Sequence, residues 1–158
     1  CKVIMTTALD DAQNVYLTGY MFGLNWDGQN NPAMLKTKGF AQRYNAALDW
    51  QWTRLFGSEE NNEGASICML NGNLMIGAKD IPSIGGFSGH PSLYLISYTT
   101  AGVLSWRDSI FANSEWKSEP KAVAARANVL YTAGRSEGPY DGAVYKGMGD
   151  ALLMQYKF

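Results

Sequence analysis

The chain has 158 residues, 13 lysines and arginines against 14 aspartates and glutamates, and a net charge of −1. That length holds one domain with a real core, while 13% aromatic and only 17% charged residues exclude disorder and coiled coil. A near-zero charge with no basic run removes the electrostatic basis for nucleic-acid binding, and no apolar stretch approaches the ~18 residues of a membrane-spanning helix.

Short apolar runs follow one another from the first residues. VIMTTAL (3–9), NVYLTGYMF (14–22), GFAQRY (39–44), WQWTRLF (50–56), ASICML (65–70) and NLMIGA (73–78) read as strands by length and alternation. So do SLYLISY (92–98), VLSWRDSIF (103–111), KAVAA (121–125), NVLYTAG (128–134) and DALLMQY (150–156). Turn chemistry separates them in DDAQN, DGQNNP, GSEENNEG, NGN, PSIGGFSGHP and SEGPYDG. Asn71-Gly72 is the sharpest hairpin signal, because that pair favours a tight two-residue turn. KAVAARANVLYTAG has helical propensity, but no segment carries a capped helical period of 12 or more residues. The expected class is all-β.

The strands repeat. Gly19, Gly77 and Gly134 each end an apolar strand and are 58 and 57 residues apart. Tyr44, Tyr98 and Tyr156 end a second kind of strand at spacings of 54 and 58, and Trp52 and Trp106 each follow their tyrosine by eight residues. Three marks on one period define a unit of four antiparallel strands in ~55 residues, the length and strand count of a propeller blade. The glycine permits a close backbone approach that a side chain would block. The expected architecture is a β-propeller-like array of about three blades, 3–58, 64–112 and 120–158, in a single segment. A third tryptophan would fall near position 164, so the last blade is expected to lack its final strand.

The order N-V-Y-L-T-G-Y, a loop, G-D-A-L-L-M-Q-Y, then tryptophan resembles the bacterial-type β-propeller repeat family called SBBP. The likeness covers nearly the whole chain as a pattern. It is best at 14–20 and 149–156, and weaker in the middle copy, where PSLYLISY lacks the Gly-Asp-Ala start. It implies a fold and no catalytic residue, and a secreted or cell-surface location. Three blades leave a ring unclosed, so further blades, a second copy giving six blades, or other protein partners are expected to cover the open surface.

Catalytic and metal signatures are weak. His90 is the single histidine, which leaves no histidine-rich zinc site, and Cys1 and Cys68 are the two cysteines. Ser88 in G-F-S-G-H sits in a glycine-rich loop rather than a nucleophile elbow. KGMGDA lacks the Lys-Ser/Thr of a phosphate loop. Asp27, Gln29 and Asn31 alternate as in a calcium loop, but Pro32 stands where glycine is required. Asp10, Asp11, Glu59, Glu60, Glu63, Asp141 and Asp150 read as turn residues. Cys68 reads as a buried small hydrophobe. Cys1 reads as a thiol pairing with another chain or as a lipid-modified first residue, the leader removed or the chain a piece of a longer one. No cofactor is expected.

Trp52 and Trp106 are packing residues of the repeat. Trp26, Trp50 and Trp116 lie off it, and an exposed tryptophan beside amides and carboxylates is a platform for a sugar or a protein. Trp26, Asp27, Asn30 and Trp116 are therefore the candidate ligand or partner contacts. The expected function is a non-enzymatic interaction or structural module. A carbohydrate-binding lectin using those loop residues is the alternative, and a glycan-acting hydrolase the third reading.

Overall fold

A computed structural model describes residues 1–31, 36–58, 60–81, 93–110, 118–138 and 149–158. Strands β1 (Lys2–Leu9), β2 (Val15–Phe22), the two-residue β3 (Asn25–Trp26) and β4 (Gln29–Asn30), β5 (Thr37–Tyr44) and β6 (Trp50–Phe56) come first. Then follow β7 (Asn61–Leu70), β8 (Asn73–Ile81), β9 (Leu93–Thr99), β10 (Leu104–Ser109), β11 (Ser118–Arg126), β12 (Val129–Ser136) and β13 (Asp150–Lys157). No helix occurs among the described residues, and none is long and apolar enough to cross a membrane. The chain is all-β.

Strand order follows sequence order. The first sheet is β1-β2-β5-β6, the second β7-β8-β9-β10 and the third β11-β12-β13, all antiparallel, with β3-β4 as a separate hairpin. KAVAARANVLYTAG is two strands, β11 and β12, paired from Ser118↔Ser136 to Arg126↔Val129. Alternation of buried and exposed side chains on this pair overrides its helical propensity. The GSEENNEG segment, expected as a turn throughout, instead pairs from Asn61 onward. Asn62 is wholly buried there: its amide donates to the Ser58 carbonyl, and its Oδ1 accepts from the Tyr94 hydroxyl at 3.0 Å. A satisfied amide is tolerated inside a strand where an unsatisfied one is not.

The periodic glycines answer to a bulge in the first strand of each sheet. Register shifts between Ile4 and Thr6, between Gly64 and Ser66, and between Pro120 and Ala122. The extra residue tips the strand so that a carbonyl passes over the neighbouring glycine. A Cβ on Gly19 would lie 2.0 Å from the Val3 oxygen, and one on Gly134 would lie 2.2 Å from the Glu119 oxygen. In the second sheet the bulge is one step out of phase, Gly77 facing Ser66 rather than Gly64. A Cβ there would meet side chains of Ser66 and Val123 at 2.9 and 3.0 Å.

Two apolar clusters separate the sheets. Tyr16, Ala41, Trp52 and Phe56 of the first sheet pack on Leu74, Ile76, Ala78, Tyr94, Ile96 and Tyr98 of the second. The other face of the second sheet packs through Leu70, Met75, Leu93 and Leu95 on Val123, Leu130 and Met154 of the third. The leading strands lie together, β7 against β1 and β11 against β7. Face-to-face burial on both sides of the second sheet explains why aromatic content is high and charge low.

Candidate interaction surfaces at the two ends of the array

The eight-residue step from tyrosine to tryptophan is one turn plus one bulge. After Tyr44, Asn45 N–H donates to the Asp49 carbonyl and Leu48 N–H to the Asn45 carbonyl; after Tyr98, Thr99 and Val103, and Gly102 and Thr99, do the same. The ladder then skips one residue, so that Trp52 pairs with Arg43 and Trp106 with Ser97. Each indole is thereby aimed at the next sheet.

The first interface is a clasp on the β9–β10 turn. Trp52 Nε1 and the Arg43 guanidinium both donate to the Thr100 carbonyl at 3.0 Å, and Arg54 Nε donates to the Gly102 carbonyl at 2.7 Å. The Trp52 ring stands 6.3 Å from Tyr16 and 6.5 Å from Tyr98. In the second interface Trp106 meets Tyr156 and Phe158 edge-on at 6.0 and 5.3 Å. A cleft of about 170 Å³ remains between the Asn71-Gly72 turn, Trp106 and Phe158. Lys79, close to Glu63 at 3.6 Å and Glu119 at 4.0 Å, ties the third sheet to the second.

The far face of the first sheet is covered by the β3–β4 hairpin. Asp27 and Gly28 make its turn with φ of 48° and 72°, the backbone of a two-residue hairpin loop. Asp27 Oδ2 accepts from Gln42 Nε2 at 2.8 Å and from the Thr53 hydroxyl at 2.6 Å. Thr53 Oγ1 in turn accepts from Gln42 Nε2 and from Trp50 Nε1. Lys2 Nζ donates to Gln42 Oε1 and stands over the rings of Trp26 and Phe40 at 5.5 and 4.8 Å. Burial lowers the Lys2 pKa, with the Asp27 carboxylate pulling the other way. Phe40, Met21 and Gln42 are each 1% exposed beneath this cover.

Of the four residues read as ligand contacts, Trp26 is half-buried, and Asp27 is exposed with one carboxylate oxygen turned onto Gln42 and Thr53. The Trp26 indole N–H is buried without a hydrogen-bond partner, and both Asp27 bonds are internal. Asn30 is exposed at the hairpin edge. Trp116, Ser88, His90, Glu59 and Asp141 lie outside the described residues. Among the described residues no three metal-ligating side chains cluster. Cys1 is exposed and Cys68 partly buried, both as free thiols.

The outer face of the third sheet has no cover among the described residues. Three places before each strand-ending tyrosine stand Ala41, Leu95 and Leu153; the first two are 0% exposed, Leu153 is 75% exposed. Opposite the residue preceding each tyrosine stand Tyr16, Met75 and Tyr131. Those are 0%, 2% and 38% exposed. Sequence reading found the repeat but not these two residues, although the same period, counted three places back from the tyrosine, marks Leu153. No family model matches the chain, and no curated protein matches it.

Proposed function

We propose that the chain is an open array of β-propeller-type repeats that works by association, without catalysis, in a secreted or cell-surface protein. Its third sheet receives a further sheet or a protein partner. The observation that carries this reading is the exposure of Leu153 and Tyr131 at positions buried in both preceding sheets. An apolar position left open at the end of a repeated stack is a docking surface in the ordinary case. Support for the propeller type comes from sheets stacked in sequence order, leading strands side by side, and the resemblance of the repeat to SBBP blades.

The test is the size of the native assembly. Tagged chain from its source cells is expected in particles well above 17.4 kDa, and Leu153→Lys is expected to release it. A wild-type chain that elutes from those cells as a monomer would remove the reading.

A further inference from the structure

Each internal interface joins the outer face of one sheet to the inner face of the next. Parts of those two half-surfaces recur at the ends of the array, on the outer face of the three-stranded third sheet and the far face of the first. A second copy therefore carries the complement of the first, and the contact between them is head-to-tail, a type that propagates unless it closes. We infer that the β3–β4 hairpin is a built-in cap that keeps the third sheet of a second copy off the first sheet, so that the array is extended at one end only. This rests on the association reading above.

Two separate features fit a cap. Lys2, which stands over both Phe40 and the hairpin's Trp26, occupies the space over Phe40, the counterpart of Tyr94, which in the second sheet is buried against Phe56 of the preceding sheet. Two places before the tyrosines, the second and third sheets have Ile96 and Met154 facing a neighbouring sheet, whereas the first has Gln42. That amide is saturated by Asp27, Thr53 and Lys2, partners that a neighbouring apolar sheet would not supply.

The ends of the hairpin lie side by side, Asn31 N–H donating to the Leu24 carbonyl at 2.6 Å, so residues 25–30 can be replaced by Gly-Gly. Sedimentation velocity of the purified chain should give wild type a fixed mass. The cap-deleted variant, with its β-type circular dichroism retained, should give a mass that rises at least about twofold over a tenfold concentration range, as open association requires. Leu153→Lys in the deleted background should abolish that rise. Asp27→Ala, which keeps the chain length and removes two hydrogen bonds, should show the same rise more weakly, and it decides the matter if the deletion does not fold. A folded variant with the wild-type mass at every concentration overturns the cap, as does growth that survives Leu153→Lys. Either failure leaves the native-assembly result intact, because that result does not depend on the first sheet.

Discussion

Trp52 and Tyr98 stand on different sheets with ring centroids 6.5 Å apart, and the pair recurs one unit later as Trp106 and Tyr156 at 6.0 Å. The tryptophan that ends one sheet is thus the partner of the tyrosine of the next. The two interfaces are not equally tight. Trp52 is 7% exposed with its N–H bonded to Thr100, whereas Trp106 is half-buried beside the open cleft. Trp52→Ala should cost ~3–5 kcal/mol in urea unfolding, the range for a large aromatic removed from a core. Trp106→Ala should cost roughly half of that, since less area leaves water. Equal losses would show that the clasp on the turn adds nothing.

Gly19 and Gly134 face backbone, and backbone under a bulge has little freedom to move. Gly19→Ala and Gly134→Ala should each lose about 2–4 kcal/mol, the scale of overpacking against atoms that resist displacement. Gly77 faces two side chains at 2.9 and 3.0 Å, which give way more easily. Gly77→Ala should therefore cost about 1 kcal/mol or less. The ordering of the three, measured by denaturant midpoints, checks the phase difference between the bulges. A Gly77 variant as damaged as the other two would contradict it.

Much of this arrangement is legible in the residues, because period-two burial and a 55-residue repeat are both local patterns. The glycine, tyrosine and tryptophan marks correspond to the bulge, the strand end and the sheet-to-sheet contact. The β3–β4 hairpin was not legible as strand: two residues on each side of Asp27-Gly28 are too short to alternate, and DGQNNP carries only the turn signal. The roles of Trp26 and Asp27 were hidden for a different reason. Their partners Lys2, Gln42 and Thr53 are 15 to 26 residues away, and no spacing rule joins a loop carboxylate to an amide on another strand. Gln42 in a run otherwise buried, GFAQRY, was the one signal available, since a buried amide requires partners.

Leu48 occupies a left-handed position, φ 65°, in a turn whose twin uses Gly102. A β-carbon there costs ~1–2 kcal/mol, and the side chain is 68% exposed, so little burial offsets the strain. Leu48→Gly should raise stability by about 0.5–1 kcal/mol after the added freedom of the unfolded glycine is subtracted. A rise of about 1–4 °C in Tm is the corresponding readout for a chain of this length. A lower Tm would mean that Leu48 makes contacts worth more than its backbone strain.

Alkaline pH should unfold the protein through acids whose pKa burial raises, Cys68 and the tyrosines Tyr16, Tyr94 and Tyr98. Burial pushes the Cys68 thiol up from 9.0 to about 11. It also pushes the Tyr16 hydroxyl up from 10.0 to about 12, helped by the hydrogen bond to Asp10. Both groups keep their protons in the fold and release them at lower pH when unfolded, so their contribution is full below pH 9. It is lost as pH rises from 9 to about 11 for Cys68, and from 10 to about 12 for Tyr16. Lys2 runs the opposite way, because burial disfavours its ammonium and loss of that proton relieves the cost. The urea midpoint, taken under reducing conditions, should be level from pH 7 to about 8.5 and fall above it. Cys68→Ala should delay the fall toward pH 10, leaving the tyrosine step in place. If the delay does not occur, Cys68 ionises as freely in the fold as outside it, and the loss belongs to tyrosine alone.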